Sequence, residues 1–404
     1  MGQGSRRRGI FTGWRASLCL VLAAVLCAGI SACSLPTSSV ARSKPVPSPT
    51  SSFGHVALFP LSSGVPAPNR LVVGPDGAIW FTAFDLMPVE GMADGRPIHD
   101  AIVRMTSAGA FTLFPLPDEG VYPDGIIVGS DGNLWFTEFY GNAVERITPQ
   151  GTITEFFVPS RPHRNPGDLP QSQPHALALG ADGNIWFPDM GGNKIARIIP
   201  SGRLTEFAIP AHAGDPFSSY PYSVVAGSDG AIWFTESGGM RIGRITLDGH
   251  ITEFTLPGVN HVPEDIVTGG DGALWFLEQN QSLLGRMTTD GHFTEWPLPH
   301  RACHIQAAMT YDSYGACEVK YLARGSDGAI WISEPWLHTL SRIDETGHIT
   351  EFPLPPISTS MAEPSVVPVG PDLFNAMGEP SALAAGPDGA LWFSYSTGVG
   401  RFSV

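Results

Sequence analysis

The chain has 404 residues, 38 of them acidic and 23 basic, for a formal net charge of −15; nucleic acid, read through its phosphates, is therefore excluded as a partner. Its 47 glycines and 37 prolines, beside 43% hydrophobic residues, describe a folded chain rich in turns and neither a disordered nor a coiled-coil one. The length exceeds that of most single domains, but all-β rings reach it without dividing.

The first 32 residues stand apart. Arg6, Arg7, Arg8 and Arg15 precede an uncharged stretch from Ala16 to Ala32, the layout of a secretory signal. It ends Ile30-Ser31-Ala32-Cys33, which resembles the lipobox of bacterial lipoproteins, with Cys33 as the lipidated residue; an ordinary signal peptide or an anchor helix is the alternative. Residues 33–53, rich in Ser and Pro, form a tether. The expected location is the outer surface of a bacterial cell membrane, reached only through that lipid anchor. Without the four leader arginines, 19 basic residues face 38 acidic ones, which favours cationic partners.

From residue 54 a single phrase recurs: GPDGAIWFTA (74–83), GSDGNLWFTE (129–138), GADGNIWFPD (180–189), GSDGAIWFTE (227–236), GGDGALWFLE (269–278), GSDGAIWISE (325–334) and GPDGALWFSY (386–395). The turn aspartates are 76, 131, 182, 229, 271, 327 and 388, so the period is 42 to 61 residues, in the range of propellers and solenoids. Each copy carries four strand-length segments joined by Gly-containing turns, which is one propeller blade. The seventh copy ends after three strands, at GVGRFSV, and HVALFPLS at 55–62 has the form of the missing fourth. The fold expected is an all-β, seven-bladed β-propeller of four-stranded blades over residues 54–404, closed by the N-terminal strand completing the last blade.

Within the repeat, most features are scaffold. The tryptophans are expected between neighbouring sheets, and Asp-Gly supplies turn chemistry. The third-strand arginines (104, 146, 197, 244, 286, 342 and 401) and the glutamates of five fourth strands read as surface ion pairs across the outer strands. Cys303 and Cys317 bracket one insertion of an exported chain and are expected to form a disulfide; His304 beside Cys303 offers a weaker metal-site alternative.

Function is sought where the copies differ. Residues seven before and seven after each turn Asp are expected to meet at the mouth of a central funnel: Asn69 with Ala83, Asp124 with Glu138, His175 with Asp189, Tyr222 with Glu236, Glu264 with Glu278, Lys320 with Glu334, and Ser381 with Tyr395. Seven of these fourteen are carboxylates. The insertions at 84–101, 160–173, 211–220, 300–319 and 356–379 are on the same face, which marks it as the working end. Converging carboxylates call for a divalent cation, magnesium or calcium, with Glu264 and Glu278 as candidate ligands. His175 is the one imidazole of the ring and the candidate base, oriented by Asp189.

The blade phrase, with RIGRIT (241–246) as a third strand and ITEFTLP (251–257) as a fourth, resembles the streptogramin lyases, also called virginiamycin B lyases, over all seven blades. That resemblance implies an elimination at the ester of a cyclic depsipeptide, a divalent ion, usually magnesium, held by His and Glu side chains, and a His as general base. At the matching positions this chain has Glu379-Pro380-Ser381 and Tyr395: the first Glu is kept, while the base and the second Glu are not. The family's other His falls on Lys320. Ser needs activation and Lys is normally protonated, so neither repeats a neutral imidazole. Three readings stay open: a binding module for a small-molecule or peptide ligand, which is placed first; a lyase with a displaced catalytic set around His175; and a metal-dependent, lactonase-like hydrolase. The chain is expected to act as a monomer.

Overall fold

Each Asp-Gly turn closes as its chemistry requires. The turn Asp accepts the backbone N–H two residues on, as Asp131 does from Asn133, and the following Gly takes φ between 73° and 82° in all seven copies, a region closed to most side chains. In this computed structural model the described residues are 50–51, 54–62, 65–84, 100–118, 120–159, 172–212, 219–258, 261–278, 282–299, 321–354, 381–395 and 397–404. The leader, Cys33, Cys303, Cys317, Lys320, Glu379 and most of the five insertions lie outside them.

From each turn two strands run back, and two more follow. In the fourth blade they are Pro221–Ala226, Ile232–Glu236, Arg241–Ile245 and Ile251–Thr255, paired antiparallel in chain order. Seven such sheets are present, and their first strands neighbour one another in a closed ring, from the first blade round to the seventh and back. This is the all-β, seven-bladed propeller expected. The seventh sheet takes its fourth strand from His55–Pro60, which pairs antiparallel with Gly398–Ser403. Thr50–Ser51 adds a short parallel strand to the outer edge of the sixth.

The core lies between blades. Trp80, Trp135, Trp186, Trp233 and Trp275 are at most 1% exposed, and each packs against the next sheet, as Trp135 does with Ile185 and Phe187. Within its own blade each indole stacks on a fourth-strand aromatic, for example Trp233 on Phe254 with centroids 5.3 Å apart. In the seventh blade that partner is Phe59, at 5.5 Å from Trp392, supplied by the N-terminal strand.

The third-strand arginines differ from the expectation. They pair with the turn Asp of their own blade, not with fourth-strand glutamates: Arg244 Nε lies 2.7 Å from Asp229 Oδ2 and Arg286 Nε 2.7 Å from Asp271 Oδ2. The same Asp accepts the indole N–H through Oδ1, at 3.0 Å for Trp233. One carboxylate thus holds a turn, a core indole and a neighbouring strand. Burial alone would raise its pKa, yet the hydrogen bonds from Trp233 and Arg244 outweigh that and lower it.

Candidate functional site

The inner strands do not alternate strictly at their funnel ends. In the first, second, fourth and fifth blades the register slips between the residues eight and five before the turn Asp, so two residues oppose one on the neighbouring strand, a β-bulge. In the first, second and fourth blades the opposing residue is the Thr of the WFT phrase, and in the fifth it is Leu277. Thr235 Oγ1 accepts the N–H of Ser223 at 3.0 Å and donates to the carbonyl of Glu264 in the next blade at 2.8 Å. Thr82 and Thr137 make the same two bonds, to Arg70 and Asp124 and to Gly125 and His175, and Ser394 serves Ala382 and Asn69. A residue that looked like scaffold therefore sets the backbone of the funnel lining.

Because of the bulge, positions seven and six before the turn reach one axial cluster. Asn69 Nδ2 donates to Asp124 Oδ1 at 2.9 Å, and His175 Nε2 lies 3.1 Å from Asp124 Oδ2. The His175 and Tyr222 rings are 4.2 Å apart. Arg70 bridges the cluster: its guanidinium is 3.8 Å from Asp124 and 3.8 Å from Asp265, and its Cζ sits 4.1 Å from the centroid of Tyr321, a cation–π distance. Asp265 in turn accepts from Ser223 Oγ at 3.3 Å and from the Leu322 N–H at 2.8 Å. Arg70, Asp265 and Tyr321 stand six before the turn Asp and are not among the fourteen positions expected from the sequence, since in a strand of regular alternation neighbouring side chains point to opposite faces.

Electrostatics follow from the burial. Desolvation opposes charge on Arg70, but Asp265, then Tyr321 and Asp124, outweigh it and hold its pKa above the usual value. For His175 desolvation wins: its pKa is lowered although Asp124 pulls the other way, and Arg70 lowers it further. The imidazole is neutral at pH 7. The 3.1 Å approach of Nε2 to Asp124 Oδ2 is not a hydrogen bond, and neither Asp124 Oδ2 nor His175 Nδ1 has a hydrogen-bond partner among the described residues. Tyr222 is pushed well up by burial and then by Glu264, so it stays a neutral phenol beside the carboxylate.

The residues seven after the turn do not join this cluster. The bulge pairs them instead with the prolines eight before it, as in Pro123 with Glu138, Pro221 with Glu236 and Pro263 with Glu278. Their side chains enter side pockets within each blade. Asp189 accepts the Gly192 N–H at 2.7 Å, so the carboxylate facing His175 is Asp124 of the neighbouring blade. Glu138 meets Glu145 and Glu155; Glu278 meets His261 and Glu295. Glu236 lies 4.0 Å from Arg241, and Glu334 accepts the Ser341 hydroxyl. Tyr395 is 1% exposed among Trp331, Phe393 and Phe402, with its pKa raised to about 12 by burial. Of the expected ring, Asn69, Asp124, His175, Tyr222 and Glu264 belong to the axis. Ser381, beside Asn69, receives the Ser394 hydroxyl at 3.4 Å.

Glu264 and Glu278 are thus not brought together, and the described axial residues do not fit a divalent ion. Arg70 already supplies positive charge to Asp124 and Asp265. A dication beside that guanidinium would add repulsion.

A family model, the virginiamycin B lyase family, matches residues 49–218 and 166–318. A virginiamycin B lyase of Nocardia farcinica (strain IFM 10152) is 27% identical over 163 residues, 40% of this chain and 48% of that protein, so the match spans about half of the relative's length. Among solved structures, selenomethionine-substituted virginiamycin B lyase from Staphylococcus aureus is 28% identical, with 87% of this chain and 99% of that one covered, at a TM-score of 0.66. A catalytically inactive histidine-to-alanine variant of the S. aureus enzyme, with quinupristin, matches at the same identity, coverage and TM-score. The WD40 propeller domain of Doa1, 12% identical at a TM-score of 0.56, shares the fold alone.

Proposed function

The chain belongs to the virginiamycin B lyase family, and on that premise we propose that it is an exported, lipid-anchored binding protein whose funnel holds a small peptide or depsipeptide. The observation that carries this reading is Arg70, a guanidinium on the axis between Asp124 and Asp265 and against Tyr321. Arg presents several N–H donors in a planar fork, suited to a ligand's carbonyl or carboxylate oxygens. Tyr222 and Tyr321 supply apolar faces with polar tips, which suit a ring of mixed polarity. Cys33 and the tether at 33–53 would hold the propeller at the outer face of the membrane, and the binding unit is a single chain.

One observation favours a second reading, elimination with a displaced catalytic set. The pKa of His175 is lowered by burial, its Nε2 lies 3.1 Å from Asp124, and its Nδ1 has no hydrogen-bond partner among the described residues. In that reading Nδ1 takes a proton α to a carbonyl, the electron pair forms a C=C bond, and the C–O bond to the departing carboxylate breaks. Asp124 steadies the imidazolium, and Arg70 faces the charge on the oxygens.

Quinupristin, the ligand of a family neighbour, is the probe. Calorimetry of the purified chain should give saturable binding, and chromatography with mass spectrometry should return the intact ring. Arg70→Ala should weaken binding by about 10- to 100-fold, the worth of a hydrogen bond from a charged group. An isobaric, chromatographically distinct product, lost in His175→Ala with binding kept, selects elimination instead. Neither binding nor product would overturn both readings.

A further inference from the structure

Away from the axis, in the fifth blade, three side chains arrive from separate segments: His261 just before the inner strand Pro263–Thr268, Glu278 at the end of Leu274–Glu278, and Glu295 on the outer strand Phe293–Pro297. His261 Nδ1 is hydrogen-bonded to Glu278 Oε2 and lies 3.4 Å from Glu295 Oε1. One potential ligand atom from each lies within 4.8 Å of the others. Glu278 is 1% exposed and His261 8%, yet Glu278 Oε1 has no hydrogen-bond partner. A buried carboxylate oxygen left so costs on the order of 1–3 kcal/mol or more unless something occupies it.

The backbone around the three leaves room for them. Gly285, on the third strand, makes room first for the Phe276 ring, 2.4 Å from where a Cβ would stand, and next for Glu278 Oε1 at 3.0 Å. Gly258, at φ 112°, faces the other imidazole nitrogen, and a Cβ there would stand 2.5 Å from His261 Nε2. The third and fourth blades solve the equivalent problem with a cation on the third strand: Lys194 pairs in register with Asp189 and bonds Glu206 at 2.8 Å, and Arg241 pairs in register with Glu236. In the fifth blade the equivalent residue is Leu283. Its positive charge must come from elsewhere.

We propose that His261, Glu278 and Glu295 form a site for a divalent transition ion, Zn²⁺ fitting best. One imidazole nitrogen and two carboxylates are a zinc donor set, with a fourth position open; calcium and magnesium would demand six or more oxygens. Two carboxylates and one neutral imidazole match the charge of a dication. The site is separate from the funnel, and it pins the segment before the inner strand to the outer strand of the same blade.

The test is Zn²⁺ titration of the purified full chain in competition with a chromophoric chelator, followed by Co²⁺ substitution and visible absorption. One equivalent should bind, with d–d bands of a low-coordinate nitrogen–oxygen site. Glu278→Gln and His261→Ala should each weaken binding by at least the 10- to 100-fold that loss of a ligand's supporting contact costs. His212→Ala, an exposed histidine paired with Glu253, should leave it unchanged and so controls for adventitious imidazole. Should the buried variants fail to fold, Glu295→Gln, whose side chain is 24% exposed, gives the same reading. Absence of 1:1 uptake, or uptake indifferent to Glu278→Gln and Glu295→Gln, overturns the site.

Discussion

The two ends of each blade obey different rules. At the turn end, seven copies of one device are present: a turn Asp that holds a Gly turn, an indole and an arginine at once, as Asp229 does with Trp233 and Arg244. At the funnel end no two blades present the same side chain seven before the turn Asp. Asn69, Asp124, His175, Tyr222, Glu264 and Ser381 occupy one equivalent position. Repetition at one end supplies seven equivalent contributions to stability, and that frees the other end to vary. Substitutions at the turn end should therefore be read in stability, and those at the funnel end in binding.

The largest test of that division is removal of the N-terminal strand. Without residues 1–60 the seventh sheet loses six paired residues, His55 to Pro60, and the stack of Phe59 on Trp392. Backbone hydrogen bonds at about 1 kcal/mol each and the lost aromatic burial give an expected loss of roughly 4 kcal/mol or more, and an exposed edge that promotes association. Urea unfolding and sedimentation of the truncated chain measure both. A truncation as stable as the parent would mean that the ring does not depend on its clasp.

Next in size is a single clamp. Asp229→Ala deprives the Trp233 indole, the Ala231 N–H and Arg244 of one acceptor, and should cost about 2–3 kcal/mol in denaturant titration with quinupristin affinity unchanged. Thr235→Val is the mirror experiment. It cuts the bonds to the Ser223 N–H and the Glu264 carbonyl, costs about 1 kcal/mol, and should reduce affinity disproportionately, because the bulge that aims Tyr222, Ser223 and Glu264 loses its support. Equal effects on stability and affinity in both variants would erase the distinction between the ends.

Legibility in the sequence follows the same line. Strand order and blade number could be read because the turn chemistry is repeated and local: Asp, Gly and Trp have fixed spacing, and each acts within its own hairpin. The pairing of Asp124 with His175 could not, since it joins neighbouring blades and depends on a bulge. A one-residue slip turns side chains to the other face of a sheet, and that slip took Glu138, Glu236 and Glu278 off the axis while bringing in Arg70 and Asp265. A signal was present: Pro recurs eight before the turn Asp at 68, 123, 174, 221, 263 and 380, and the irregularity starts from four of these, 68, 123, 221 and 263. Pro lacks the N–H that a regular ladder uses.

The smallest effect, and the sharpest within one blade, concerns the side pocket of the second. Glu145 stands there where the other third strands have Val103, Ala196, Gly243, Gly285, Ser341 and Gly400. It meets Glu138 and Glu155, and both Glu138 and Glu145 are 1% exposed. Burial first, then the neighbouring carboxylates, raises Glu138 to about 9 and Glu145 to about 7, from an ordinary 4.5. The folded chain therefore keeps protons that the unfolded chain releases above pH 4.5. Stability should be highest at the acid side of this window and fall as pH rises from about 5 towards 9, because the unfolded state binds fewer protons there. Glu145→Gln removes one charge while keeping the shape, and it lowers the repulsion that holds Glu138 up. Its melting temperature should match the parent's near pH 5 and exceed it by a few degrees at pH 8, with a flatter profile between. Parallel profiles for the two proteins would show that the trio is compensated by something other than protons.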